Sequence, residues 1–255
     1  MNFPRRWLRP ILILTGLFLL APLATNLVAH LTTRGLRPNQ DWVAAIQAGG
    51  TVLLGPGKFS TDRTIEVTRS VTITGAGSSK TTLLLDSDDG EYGEQFAIVA
   101  PGPAEVRVII SNLSIVHGGT YMSDLVTAAG RAHVELRDVG INLTYFTVRQ
   151  LFQGNGIGSG CGVLVTPGAS LSVEAGSFHG NLHGICGTGA SQVSVAGSSF
   201  VDNLQAGIYV EDTPVTVETS HFERNEVGIE IHGSATRDLT DNSFRDQFHM
   251  DILEE

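Results

Sequence analysis

The sequence predicts an all-β fold, namely a single-stranded, right-handed parallel β-helix of about seven coils with a short N-terminal capping helix and an N-terminal membrane or signal helix. Three observations predict this fold. A unit of 22 residues recurs in the C-terminal half, and its aliphatic and polar residues alternate at the period of a β-strand. Each unit holds three short strands and is too short for a helix pair or a propeller blade. Glycine, at 30 of 255 residues, supplies turns without the triplet period of collagen.

A phenylalanine, an asparagine and a glycine followed by an aliphatic residue mark each unit. The phenylalanines lie 22 residues apart three times in succession, and the asparagine follows three residues later in the first three units. A unit of this length cannot close a core alone, so successive units must stack as coils about 4.8 Å apart. We therefore expect an internal phenylalanine stack and an asparagine ladder at one turn. The residues concerned are Phe178, Phe200, Phe222 and Phe244, Asn181, Asn203 and Asn225, and the glycines Gly162, Gly184, Gly207 and Gly228.

A short amphipathic helix is predicted before the first coil. Asn39 is the expected N-cap, the helix runs to Ala48 with Trp42 and Ile46 on one face, and Gly49 ends it. Such a helix covers the open end of the stack, where strand edges would otherwise pair with other chains.

The N-terminal segment predicts export. Three arginines precede the stretch from Ile11 to Leu31, which contains no Asp, Glu, Lys or Arg. We expect residues 1–35 to be a signal peptide or, preferably, an uncleaved membrane anchor, and residues 36–255 to form the β-helix domain. The domain would then be periplasmic, exposed at the cell surface or secreted, and in the preferred case held at the cytoplasmic membrane by its N-terminus. The arginines are Arg5, Arg6 and Arg9.

The charge balance excludes one class of partner. The formal net charge is −10, and lysine occurs only at Lys58 and Lys80. Because phosphate recognition needs a concentrated basic face, we expect no nucleic-acid partner. An extended polyanion would also be repelled unless a cation bridges it.

The two cysteines do not match a disulfide scaffold or a zinc-ligand spacing. Repeat alignment places Cys161 and Cys186 on adjacent coils about three residues out of register, which exceeds disulfide reach unless the loop before Gly162 folds back. We expect unpaired cysteines, with Cys186 facing outwards near Tyr209, and keep the disulfide as the alternative.

The entry segments 50–59, 71–77 and 81–85 resemble the first coils of pectin-lyase-like β-helix proteins, and the Phe-x-x-Asn and Gly-Ile units resemble the generic right-handed β-helix repeat of envelope proteins and carbohydrate-active enzymes. The resemblance covers roughly residues 37–250 and implies a substrate groove along the outside of one parallel sheet. The Asn-Thr-Asp and Arg-Ile-Lys signatures of polygalacturonase-like proteins and the Asp-Pro-His-Asp run of mannuronan-epimerase-like proteins are absent from the sequence. The base and calcium ligands of pectate-lyase-like enzymes have no evident counterpart.

Strand alternation places four polar side chains together on the expected groove. With Ile208 inward, Tyr209 and Glu211 face outwards, and in the next coil Glu230 and His232 do so. In register, Tyr209 stacks on Glu230 and Glu211 on His232. These four residues are candidate acid and base groups, because an imidazole beside a carboxylate can transfer protons near neutral pH. A solvated outer face or a ligand contact are the alternative interpretations.

Other charged positions have weaker functional interpretations. Asp86, Asp88 and Asp89 begin an acidic segment that is a candidate calcium site, with a solvated loop as the alternative. We interpret one repeat position as a surface salt ladder, and expect the turn histidines to be solvated rather than metal-bound. The ladder is Asp202, Arg224 and Asp246, with His179 and Glu223 in the neighbouring position, and the second turn histidine is His183.

These patterns predict an exported envelope β-helix protein that binds a saccharide or an envelope protein through the outer face of its coils, without a standard catalytic site. The alternative is a polysaccharide lyase, epimerase or glycoside hydrolase that acts on an envelope or extracellular glycan with Tyr209, Glu211, Glu230 and His232. No cofactor is expected beyond a possible role for calcium.

Overall fold

In a computed structural model, the structure describes residues 35–86, 96–100, 103–118, 123–143 and 160–255. The described residues beyond Gly35 belong to one compact unit. Within the ranges above, no helix is long and apolar enough to cross a membrane. The predicted membrane or signal helix lies outside these ranges and stays a prediction.

The capping helix α1, Trp42–Ala48, is present, and Trp42 and Ile46 are buried as predicted. The prediction that Asn39 is its N-cap is wrong. The N-cap is Asp41, whose side chain accepts a hydrogen bond from the Ala44 backbone N–H at 3.0 Å. An N-cap side chain reaches the amide three residues later, and Asp41 stands at that distance from the third residue of the helix.

All regular structure after α1 in the described ranges is β-strand. The strands are β1 Gly50–Leu53, β2 Gly57–Thr61, β3 Ile65–Val67, β4 Val71–Thr74, β5 Thr81–Leu85, β6 Phe96–Ala100, β7 Val106–His117, β8 Val126–Gly130, β9 Ala132–Leu143, β10 Cys161–Val165, β11 Ser170–Glu174, β12 Ser177–His179, β13 His183–Thr188, β14 Gln192–Ala196, β15 Ser199–Val201, β16 Ala206–Glu211, β17 Val215–Glu218, β18 His221–Glu223, β19 Val227–His232, β20 Arg237–Thr240, β21 Ser243–Arg245 and β22 Met250–Glu254.

Two parallel sheets run along the molecule. The first sheet has 14 strands and contains β20-β17-β14-β11-β9-β12-β15-β18-β21 in that order, with β1, β2, β4, β5 and β7 joined to this path. The second sheet has eight strands in the order β22-β19-β16-β13-β10-β8-β6-β3. Each coil adds one strand to the second sheet and one or two to the first. The predicted all-β parallel helix of about seven coils is confirmed.

The first sheet bends at one repeated corner. In the long strands β7 and β9, Asn112 and Asp138 have φ of 55° and 50°. Asn and Asp tolerate this left-handed conformation better than other non-glycine residues. The later coils use the same conformation at the equivalent corner, between their two strands of the first sheet. Those residues are Ala175, Gly197, Thr219 and Asp241.

The predicted phenylalanine stack fills the interior of the C-terminal coils. The ring centroids of Phe178 and Phe200 lie 4.7 Å apart, those of Phe200 and Phe222 4.9 Å, and those of Phe222 and Phe244 5.0 Å. The ring planes are nearly parallel, with interplanar angles of 4°, 6° and 15°. Phe178, Phe200 and Phe222 are fully buried. Residues 22 positions apart are therefore spatial neighbours.

The predicted asparagine ladder is also present and ends on a glutamine. The side-chain N–H of Asn181 donates to the Asn203 side-chain oxygen at 2.9 Å, and Asn203 donates to Asn225 at 2.8 Å. Asn225 donates in turn to Gln247 at 3.1 Å. Each acceptor oxygen also receives the backbone N–H of the preceding ladder residue. The ladder thus satisfies polar groups that would otherwise be buried without partners.

Replacing Phe200 by Ala should lower the free energy of unfolding by about 3–5 kcal/mol, because the change removes a buried ring that packs between two others. Urea unfolding followed by circular dichroism measures the loss. Phe248→Ala is the matched control, since this ring is 79% exposed, and should change the value by less than about 0.5 kcal/mol. Equal losses in the two variants would contradict the internal stack.

Candidate functional site

The outer face of the second sheet carries the predicted patch. In the parallel register, Tyr209 of β16 pairs with Glu230 of β19, and Glu211 pairs with His232. One coil earlier, Cys186 lies beside Tyr209. The predicted register of the four candidate residues is confirmed, and their catalytic role stays a prediction.

An aromatic column runs across three strands of this face. The ring centroid of Tyr209 lies 5.5 Å from that of His183 on β13 and 5.4 Å from that of His232. Sequence reasoning missed His183 as a member of this group, because it assigned the residue to a solvated turn. The residue stands at the start of β13, where the strand leaves the turn.

Two residues of this patch, His232 and Tyr209, have pKa values above their ordinary values. Glu230 accepts a hydrogen bond from His232 Nε2 at 2.8 Å, and Glu255 Oε2 lies 3.5 Å from the other ring nitrogen. The hydrogen bond to Glu230 raises the pKa of His232, with smaller contributions from the charges of Glu230, Glu255 and Glu211. Burial raises the pKa of Tyr209, and the charges of Glu211 and Glu230 raise it further.

A cleft of about 410 Å³ opens beside the aromatic column. Tyr209 and Glu230 line it, whereas Glu211 and His232 are not among its lining residues. The wall combines aromatic rings, an aliphatic surface and carboxylates. The lining residues are His183, Gln205, Tyr209, Glu226, Val227, Glu230, His249 and Leu253.

The expectation that Cys161 and Cys186 stay unpaired is wrong, because they form a disulfide with a Cα–Cα distance of 5.9 Å. Strict alternation would turn Cys161 inwards and Cys186 outwards. In the register of β10 on β13, however, Gly162 and Gly184 between the flanking pairs are not paired with each other. Three consecutive residues at the start of β10 are also buried. This break in the alternation places the two cysteine side chains on the same face of the second sheet.

The predicted calcium site is largely outside the described residues. Asp86 directly follows β5, and its backbone N–H donates to the Thr61 carbonyl at 2.9 Å. Asp88 and Asp89 lie outside the described residues. Calcium binding by this segment stays a prediction.

The predicted salt ladder lies on the turn that follows the short strands of the first sheet. Arg224 donates two hydrogen bonds to the Asp202 carboxylate, at 2.7 and 2.8 Å, and this lowers the pKa of Asp202. Arg224 and Arg245 both form ion pairs with Glu223, and Arg245 lies 3.4 Å from Asp246. These ion pairs are partly exposed to solvent and stabilise neighbouring coils modestly.

A second charged cluster lies on the first sheet and was missed by sequence reasoning. The side chain of Glu135 is only 8% exposed and forms ion pairs with Arg107 and Arg137. The Nε2 atom of His133 lies 3.4 Å from the same carboxylate. Burial raises the pKa of Glu135, but the hydrogen bond and charge of Arg107, with Arg137 and His133, outweigh it and lower the pKa overall. Alternating polar residues along β9 are the signal that would have revealed this cluster.

Replacing Glu230 by Gln should lower the pKa of His232 towards its ordinary value, because the largest stabiliser of the imidazolium is lost. A histidine whose folded pKa is raised contributes stability that is fully present below about pH 6.5 and is lost as pH rises through the folded pKa. The variant should therefore lose the most stability below about pH 6.5, and the difference should disappear as pH rises through the folded pKa of His232. The NMR titration of the His232 ring protons measures the shift. Glu226→Gln is the control, and an equal pKa decrease in both variants would contradict the assignment.

Comparison with known proteins agrees with this architecture. The model of the family "Right handed beta helix region" matches residues 107–250. A search of curated proteins by sequence finds no match.

Three solved structures illustrate the similarity. Pre-mature gene product 12 of bacteriophage phi29 is 14% identical with a TM-score of 0.53, and the match covers 91% of this chain and 35% of that one. The catalytic domain of a GH87 α-1,3-glucanase in complex with tetrasaccharides is 10% identical with a TM-score of 0.42, covering 76% and 34%. The A-module of mannuronan C-5 epimerase AlgE6 from Azotobacter vinelandii is 16% identical with a TM-score of 0.31, covering 84% and 75%.

The chain spans about one third of the length of the first two of these structures. At identities this low a similarity bears on the fold alone, and of these three structures the phi29 protein, with a TM-score above 0.5, is the one that does so. Because the family model matches more than half of the sequence and the strands are parallel throughout, the chain belongs to the right-handed β-helix family.

Proposed function

We propose that this chain is an exported β-helix protein that binds a saccharide through the cleft on the outer face of its second sheet. The observation that carries the proposal is the Tyr209 ring, which lies between the rings of His183 and His232 beside a cleft of about 410 Å³. The uncharged N-terminal stretch behind three arginines supports export. The domain then lies in the periplasm, at the cell surface or outside the cell, and an uncleaved N-terminus anchors it to the cytoplasmic membrane.

The side chains of the cleft suit the two kinds of surface that a sugar presents. The C–H faces of a pyranose ring are apolar and pack on an aromatic ring such as Tyr209. Sugar hydroxyls donate hydrogen bonds to carboxylates, and Glu226 and Glu230 line the same cleft.

The charge of the cleft selects among saccharides. Two glutamates line it, and the whole chain carries a formal charge of −10. A polymer with a carboxylate or sulfate on each sugar would be repelled at this surface. We therefore propose a neutral or amino-sugar oligosaccharide as the ligand.

Calorimetric titration of the full chain with neutral and amino-sugar tetrasaccharides tests the proposal. The panel contains β-1,3-, β-1,4- and α-1,3-linked glucans and a β-1,4-linked N-acetylglucosamine oligomer. We expect at least one to bind, and Tyr209→Ala to weaken that binding at least about tenfold because the stacking surface is lost. Tyr209→Phe keeps the ring and should stay within about threefold.

His221→Ala, on the first sheet, is the control that should leave affinity unchanged. Absence of binding across the panel, with circular dichroism of a folded β-protein, would overturn the saccharide proposal and leave an envelope protein as the partner to be sought.

A second candidate function is catalysis by a lyase, epimerase or hydrolase. The hydrogen bond between His232 and Glu230 favours it, because a histidine held beside a carboxylate can donate and accept a proton. Incubation of the chain with the same sugars and a uronan, with and without calcium, distinguishes the two functions. We expect binding without new reducing ends or unsaturated products. Products that disappear in Glu230→Gln would instead establish an enzyme.

A further inference from the structure

We propose that Cys161, Cys186 and His183 form a redox-gated site for a zinc ion, closed while the cysteines are joined as a disulfide and opened when a dithiol reduces them. The two sulfur atoms and one ring nitrogen of His183 all lie within 4.8 Å of one another. Two sulfurs and one imidazole nitrogen are a ligand set that zinc prefers.

Two paired strands hold these residues in place. Cys161 on β10 lies opposite His183 on β13 in the parallel register, and Cys186 follows on the same strand as His183. The Cys161 backbone N–H donates to the Asp124 carboxylate at 2.8 Å, which fixes the start of β10. The ligands therefore project from a hydrogen-bonded sheet, and after reduction the two sulfur atoms need only move apart by side-chain rotation to bind one ion.

The burial of its two cysteines distinguishes this site from exposed side chains that bind metal ions nonspecifically. Cys161 is 1% exposed and Cys186 4% exposed, whereas His183 is half-buried and lines the cleft. An ion held here would have two ligands inside the wall and one at its edge, next to the Tyr209 ring. Three protein ligands leave a fourth zinc position for water or another small ligand.

The redox step decides whether the site exists. A dithiol reductant attacks the S–S bond, supplies two electrons and two protons, and closes its own disulfide, which leaves two thiols on the chain. Zinc then displaces the two thiol protons and binds both thiolates and the neutral His183 ring. In the oxidised chain neither sulfur is available as a thiolate, so the site is closed.

Metal titration of the full chain tests this proposal. The chain is reduced with dithiothreitol, desalted under nitrogen, and titrated first with Co²⁺ and then with Zn²⁺. We expect one ion per reduced chain, a thiolate-to-cobalt absorption band that zinc abolishes, and no band in the oxidised chain.

Variants distinguish a zinc site that includes His183 from two cysteine thiols that bind zinc without it. Cys161→Ser should abolish the band, and His183→Ala should weaken zinc binding at least about tenfold. His179→Ala, a histidine on the first sheet in the same coil, is the matched control and should bind as the unaltered chain does. Zinc binding that His183→Ala leaves unchanged would overturn the proposal.

Folding of the reduced chain is followed by circular dichroism in the same samples. If reduction alone removes the β-sheet signal, stoichiometric zinc should restore it in the unaltered chain and not in His183→Ala. Failure of zinc to bind the folded reduced chain, or to restore the unfolded one, overturns the proposal.

Discussion

In-register parallel stacking of the coils is the constraint on which the rest of this structure depends. Every strand pairing between coils is parallel, so a side chain lies over its equivalent in the next coil. The close approach at the glycines shows how tight this packing is. A Cβ atom at Gly207 would lie 2.7 Å from the Gly228 carbonyl oxygen and 2.8 Å from the Phe222 ring. Glycine therefore recurs at this position because the backbone of the next coil occupies the space of a side chain.

The same stacking produces the chemistry of the outer face. Because alternation and register are both maintained along β16 and β19, four polar side chains separated by up to 23 positions share one surface. The neighbours of Tyr209 are two imidazoles and two carboxylates. Burial and then the two carboxylates raise the pKa of Tyr209, whereas the hydrogen bond to Glu230 raises the pKa of His232. In a fold of stacked repeats, an aromatic ring in one coil and a carboxylate at the equivalent position of the next coil therefore become direct neighbours.

The charged groups of the first sheet behave differently. Glu135 and Asp202 are held in ion pairs by arginines on the same or the neighbouring coil. The partly exposed pair of Asp202 contributes little stability. In both clusters the opposite charges neutralise one another locally. The cleft of the second sheet is lined by glutamates without an arginine or lysine among its lining residues. The negative charge at the cleft is therefore not neutralised by a basic lining residue. For this reason a neutral ligand suits the cleft better than a polyanion does.

By itself the sequence determined the fold, the phenylalanine and asparagine ladders and the register of Tyr209 on Glu230, because a 22-residue period and strand alternation specify which residues meet. The tertiary structure alone decided features that depend on breaks in that periodicity. The disulfide forms where alternation is interrupted beside Gly162, and His183 lies in β13, next to the Tyr209 ring, rather than in the turn. The cluster around Glu135 belongs to longer, less regular coils, where alternation places residues of β9 on one face but no fixed period predicts that Arg107 lies beside Glu135. Periodicity can be extrapolated along a sequence, whereas an interruption of the period depends on how the backbones of adjacent coils fit together.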